Sequence, residues 1–167
     1  MNTNLTFREI RSDSEKDLTE LSILAHKIWN DYYPPIIGQE QVDYMLNKFY
    51  SRESLIDQIE NKKNIVTGAY LNDVLAGFMS HSISGENEYF IHKLYVNTGL
   101  HLKGIGRALF EHVFGDKKQK TIRLTVNRQN FKAVNFYFRL GFIIEKIIDI
   151  DIDNGFVMND FVMIFRS

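Results

Sequence analysis

Residues 101–107 read His-Leu-Lys-Gly-Ile-Gly-Arg, and an apolar helical pattern follows them. A helix start carries unpaired N–H groups and the positive end of the dipole, which makes it a ready anion site. Gly104 and Gly106 let the backbone approach an anion with no Cβ in the way, and Lys103 and Arg107 add positive charge. The chemistry that fits is the holding of a diphosphate. Taken alone, the stretch fits equally a solvated loop whose glycines serve only a turn. A Walker loop is absent, because no GxxxxGK[ST] occurs. A dinucleotide fingerprint fails as well: Leu109 stands where the third glycine belongs, a loop separates the preceding strand from the glycines, and "TIRLTV" ends without an acid. The run Asp149, Asp151, Asp153 has the alternation of a calcium loop. Asn154 occupies the position where that loop needs glycine, and the interleaved isoleucines argue for a strand, so no metal is expected.

The elements that must position these residues alternate along the chain. "LTFREI" reads as a strand, and residues 16–33 carry Leu18, Leu21, Leu24, Ile28 and Tyr32 at helical spacing. Pro34 and Pro35 stop that helix. Two short helices are predicted over 39–49 and 52–61. "NIVTGAYL", "VLAGFMSHSIS" and "EYFIHKLYV" are β-branched and aromatic runs with turn-rich breaks, which predicts a three-stranded antiparallel meander. A helix over 105–114, the strand "TIRLTV" and a helix closed by Gly141 come next. Asn154-Gly155 between alternating runs predicts a terminal hairpin with a two-residue turn. The expected fold is a mixed α/β, mostly antiparallel, twisted sheet of about seven strands with helices on both faces.

Composition narrows the function classes. The chain has 167 residues, a formal net charge of −1 and 44% apolar residues. One ordinary domain with a sizeable core is expected, and neither a nucleic-acid surface nor a polybasic membrane anchor. Cysteine is absent, so disulfides, thiolate metal sites and a cysteine nucleophile are excluded. No signal-peptide core and no run of membrane-spanning length occur, so a cytoplasmic protein is expected.

Two motifs together resemble the GNAT superfamily of acetyl-CoA-dependent N-acetyltransferases. The first is the pyrophosphate loop, [QR]-x-x-G-x-[GA] after a strand ending in an apolar-x-apolar run. Here "LYV" at 94–96 precedes "HLKGIG" at 101–106, with His101 where the family usually has Gln or Arg. The second is "LTVNRQNFKAVNFYFRLGF", in which Leu124, Val126, Asn130, Ala133, Tyr137, Gly141 and Phe142 keep the family spacing. The resemblance covers residues 64–167 and implies a single domain, with 1–63 as the variable substrate side and 64–167 as the acetyl-CoA-binding core. It implies acetyl-CoA as co-substrate, held by Leu94, Tyr95, Val96, residues His101, Leu102, Lys103, Gly104, Ile105, Gly106 and Arg107, and by Asn130 and Tyr137.

The resemblance also implies roles in the chemistry. The acetyl-pantetheine arm lies beside Leu94–Val96, where the strand splays from its neighbour and frees backbone N–H groups to stabilise the oxyanion. Tyr137 matches the family's thiol-facing tyrosine. A phenol near pKa ~10 and a thiol near ~8.5 are close enough for useful proton transfer. Several family members place a glutamate base where this chain has Phe90. His92 shares strand parity with Leu94 and Val96, and its ordinary pKa suits base work, so it is the candidate base; the alternative is a hydrogen-bonded histidine within the sheet.

For the acceptor, Trp29 and Tyr33 in an aromatic, acidic stretch suit an ammonium. A two-residue turn at Asn154-Gly155 sets Asp149 opposite Asp160, an unfavourable pair that a cationic substrate, Lys146 or Arg166 would relieve. This layout is similar to bacterial polyamine N-acetyltransferases. The expected function is acetyl transfer to a small cationic amine by direct attack, with a homodimer left open. The alternatives are a peptide N-terminus or amino acid as acceptor, or a non-catalytic acyl-CoA-binding regulatory domain.

Overall fold

The computed structural model describes residues 4–100 and 102–167. The element order is β1 (Leu5–Glu9), α1 (Glu15–Tyr32), α2 (Pro34–Ile37), α3 (Gln39–Tyr50), α4 (Arg52–Glu60), β2 (Ile65–Leu71), β3 (Val74–Gly85), β4 (Glu88–Val96), α5 (Ile105–Phe114), β5 (Thr121–Asn127), α6 (Phe131–Leu140), β6 (Ile143–Asp151) and β7 (Val157–Arg166). The strands form one seven-stranded sheet in the order β1-β2-β3-β4-β5-β7-β6. β4 and β5 are parallel, while β1–β2, β2–β3, β5–β7 and β6–β7 are antiparallel. This is the mixed, mostly antiparallel sheet that the alternating runs predict.

The helices begin and end where the side chains provide for their unpaired backbone groups. Ser14 caps α1 by accepting from the Asp17 N–H, Ser51 caps α4 through the Ser54 N–H, and Asn130 caps α6 through the Ala133 N–H. Pro34 and Pro35 do stop α1, but the chain makes a single further turn, α2, because proline is well suited to the first helical position.

The chain divides into two compact units. The first comprises the residues up to His81 together with Lys93–Asp116. In it, Phe78 of β3 faces α1 and α3 through the Tyr95 and Trp29 rings, while His81, of opposite parity, packs on Phe114 of α5. Both faces of β3 are therefore covered by helices, and Phe78, Met79 and Ala76 are fully buried. The second unit comprises Ser82–His92 and Lys117–Ser167. In it, α6 covers the face of β5 and β7 that carries Leu124, Met163 and Phe165, with Phe142 on Phe165 at 5.5 Å.

The terminal hairpin differs from the expected one. Asn154 and Gly155 do sit at the centre of a tight turn, with the Phe156 N–H donating to the Asp153 carbonyl at 3.1 Å. Asp153 itself is also left-handed, at φ 73°, and the Ile152 N–H donates to the Phe156 carbonyl. The additional residue in the loop slips the register by one. Asp149 pairs with Asn159, and Asp160 pairs with Ile148. The expected opposition of Asp149 and Asp160 does not exist.

Candidate active site

In the first unit the informative segment is the end of β4. Among the described residues the β4–β5 ladder runs from Glu88↔Thr121 to Ile91↔Leu124 and stops, although β4 continues to Val96. Beyond Ile91 the strand stays tied to β3, and the Asn97 N–H donates to the Ala76 carbonyl at 2.8 Å. Among the described residues the pairs with β5 end at Ile91↔Leu124, short of Leu94, Tyr95 and Val96. Gly77 permits this course of the strand. A Cβ there would lie 2.8 Å from the Tyr95 carbonyl oxygen and 3.3 Å from the Val96 Cα.

Nine residues downstream of Tyr95 the chain enters α5. Gly104 caps it in the left-handed region at φ 88°, ψ 2°. Its carbonyl accepts the first helical bond, from Ala108 at 2.9 Å, so the N–H groups of Ile105, Gly106 and Arg107 have no carbonyl behind them within the helix. Ile105 and Gly106 are buried, which anchors this turn, while Lys103 and Gly104 are exposed and Leu102 is half-buried. A Cβ at Gly104 would meet nothing within 4 Å, so the glycine answers to backbone conformation and the approach to it is open. Arg107 is 3.5 Å from Glu111, which shares part of its charge. His101 lies outside the described residues.

The aromatic residues of the first unit form a cluster rather than an open lid. Trp29 stacks on Tyr33 at 4.4 Å and borders Tyr50 and Tyr95 at 5.9 and 6.0 Å. Trp29 and Tyr33 are only 5% and 8% exposed. Sequence reasoning missed Lys93, which stands in this cluster. Its ammonium donates to Gln58 and lies 5.0 Å from the Tyr50 ring centre. Burial lowers its pKa to about 8, with a smaller contribution from Lys62. A lysine in a strand reads as solvated, and only the packing of α3 and α4 shows otherwise. A polar cleft of about 280 Å³ between α1 and α3, lined by His26, Asn30, Asp43 and Asn47 among others, also escaped the sequence.

The second unit holds His92, Tyr137, Asn130 and Asp160. His92 is exposed, and its Nε2 lies 2.8 Å from the Ser82 hydroxyl. Tyr137 is 7% exposed, on the inner face of α6 against Phe136 and Phe142 at 5.3 and 5.5 Å. Asn130 is buried, with its side chain engaged as the α6 cap. Asp160 is 2% exposed and lies opposite Asn127, the last residue of β5. Burial raises its pKa to about 6, against the lowering effects of a Thr125 hydrogen bond and the charge of Arg128. Asp149 is exposed; it accepts from Arg128 and from the Asn159 amide at 2.8 Å. The cation beside it is thus Arg128, not Lys146 or Arg166. The acidic run forms a strand up to Asp151, in keeping with its alternation.

These arrangements can be set beside known proteins. The family model described as "Acetyltransferase (GNAT) domain" matches residues 35–163. The chain is 31% identical, over 82% of its length and 89% of the relative's, to the spermidine N(1)-acetyltransferase of Thermoplasma acidophilum. The crystal structure of the PaiA N-acetyltransferase from Thermoplasma acidophilum, in complex with coenzyme A, is similar over 98% of this chain and 99% of that one, with 27% identity and a TM-score of 0.77. The ribosomal-protein-S18-alanine N-acetyltransferase of Escherichia coli shares the fold at 17% identity, TM-score 0.70, over 98% and 94% of the two chains. The early end of the β4–β5 ladder, the left-handed glycine that opens α5 and a match across most of the sequence agree: this chain is an acetyltransferase of the GNAT family.

Proposed function

We propose that this acetyltransferase moves the acetyl group of acetyl-CoA to a primary amine of a small cationic acceptor, of the polyamine class, by direct attack. The observation that carries the reading is the 31% identity to a spermidine acetyltransferase over most of both chains. A left-handed glycine opening α5 and the early end of the β4–β5 ladder support acetyl-CoA as donor. The diphosphate would sit on the amides of 105–107, with Lys103 and Arg107 adding charge. The amides of Leu94–Val96 would hold the acetyl-pantetheine arm and stabilise charge on the thioester oxygen. Preorganised donors of this kind are commonly the largest catalytic contribution. Tyr137 would give its hydroxyl proton to the departing sulfur, and Asn130 would fix the start of the helix that carries it. Strand parity makes His92 one candidate base, and its contact with the Ser82 hydroxyl would set its tautomer. Trp29, Tyr33 and Asp160 would serve the acceptor. Residues 1–167 would then act as one catalytic domain.

One observation favours a second reading. The Lys93 amine stands against Tyr50 in the aromatic cluster and donates to Gln58. A cation already seated there weakens the cluster as a receptor for a polycation and suits a peptide N-terminus or an amino acid. Thiol release from acetyl-CoA across polyamines, amino acids and short peptides separates the two. Saturable turnover with a di- or triamine supports the first; turnover with peptides alone supports the second.

A further inference from the structure

Asp160 is a buried carboxylate that the hairpin does not need. The slipped register places it opposite Ile148 on β6 and Asn127 on β5, and leaves Asp149 to Arg128. Its location is specific. β5 continues past its last pair with β4 for three residues, Thr125 to Asn127, and on its other edge these residues pair with Val162, Phe161 and Asp160 of β7. Asp160 therefore faces the tip of β5, where the ladder to β4 has ended. Side-chain parity puts Asp160, Asn127 and Thr125 on one face of the sheet and Phe161, Met163 and Phe165 on the other. α6, with Tyr137, covers the latter face. Asp160 and Tyr137 thus belong to opposite faces of the sheet. Thr125 is half-buried, and its side chain is hydrogen-bonded to Asp160.

We infer that Asp160, acting through the Thr125 hydroxyl, is the base that takes the proton from the acceptor ammonium. This rests on the proposed alkylammonium acceptor. The threonine accepts the ammonium proton as it passes its own to the Asp160 carboxylate, so the charge need not leave its buried place. One N–H bond breaks, and the freed electron pair forms the C–N bond as the C–S bond breaks. The second proton shed by nitrogen replaces the one that Tyr137 gives to sulfur. Asp160 then returns its proton to water, and one proton leaves per turnover. Burial supports the role, since a carboxyl held near pKa 6 accepts a proton more readily than an ordinary aspartate. The groups that share its surroundings are Arg128 after β5, Lys146 on β6 and the Arg123–Glu145 pair at 2.9 Å. The Thr125 hydrogen bond and the charge of Arg128 keep the pKa from rising further.

The test is the pH dependence of kcat/KM with a diamine. In the native enzyme the acid limb should lie near 6. In Asp160→Asn and in Thr125→Val the limb should move toward the acceptor's own pKa, about 10.4, because only pre-neutralised amine then reacts, with a loss of roughly 10³-fold at pH 7. Thr125→Ser should restore the native limb. An alkoxyamine, mostly neutral at pH 7, should lose far less. Asp160→Asn is isosteric and removes a buried charge, so folding is retained, and a thermal melt checks it. A limb that stays near 6 while KM for the diamine rises makes Asp160 a binding group and overturns the inference, leaving the acceptor reading intact. A limb that follows His92→Asn instead also overturns it. If diamines are not acetylated but alkylammonium peptides are, and the limb still moves with Asp160, the inference stands and the acceptor reading fails.

Discussion

Two ionisable side chains taken partly or wholly out of water, the buried Asp160 and the half-buried Lys93, mark the residue scale. The Asp160 pKa is raised from an ordinary 3.8 to about 6 by burial. A raised carboxyl binds more protons in the folded than in the unfolded chain between those values, so its burial costs nothing below pH ~4 and destabilises increasingly as pH rises through 6. The full cost is on the order of 3 kcal/mol. Asp160→Asn should therefore raise the melting temperature at pH 7.5, and the gain should shrink toward pH 4.5; a gain that is independent of pH contradicts this. Tyr137→Phe keeps the ring contacts with Phe136 and Phe142 and removes only the hydroxyl. The expected result is a fall in kcat of about 10²-fold with acetyl-CoA affinity nearly unchanged, read by single-turnover rates and calorimetry. The left-handed Gly104 at the start of α5 and the place of Tyr137 on α6 were legible in the sequence because their spacing is a motif. Lys93 was not, since nothing local distinguishes a lysine under α4 from one in solvent.

At the scale of elements, the proposed site rests on β4 and α5, and each depends on a glycine. Gly77 lies under Tyr95 and Val96, where a Cβ would come within 2.8 Å of a backbone oxygen. Gly77→Ala should push the β4 backbone outward and misplace the amides of 94–96. A drop in kcat of at least tenfold, larger than any change in acetyl-CoA affinity, is expected from steady-state kinetics alongside calorimetry. Gly104→Val sets a β-branched residue at φ 88° at the α5 start. With strain of about 1–3 kcal/mol, the helix start should reshape and acetyl-CoA should bind roughly ten- to hundredfold more weakly by calorimetry; unchanged affinity contradicts the diphosphate assignment. The β6–β7 hairpin shows where element-level reading stops. Asn154-Gly155 declared the turn, but the left-handed Asp153 that adds a residue to the loop has no distinguishing type, and one residue was enough to exchange Asp160 for Asn159 opposite Asp149.

At the scale of the whole molecule, the alternating runs announced all seven strands, and the order of the last two follows from their composition. β7 carries the continuous apolar stretch Phe161–Phe165 and lies inside the sheet against β5, with Met163 and Ile164 buried. β6 is interrupted by Glu145, Lys146 and Asp149, and it forms the edge, as charged strands tend to do. No helix among the described residues is long and apolar enough to cross a membrane. The parallel pairing of β4 with β5 was not legible in the sequence, because local pattern does not encode which distant strands meet. The most direct measurement of the proposed function is thiol release from acetyl-CoA in the presence of spermidine, with the product identified by mass. The expected result is saturable CoA release matched by one acetyl group on a primary amine. Acetyl-CoA binding without thiol release, for spermidine and for every other amine supplied, would contradict it.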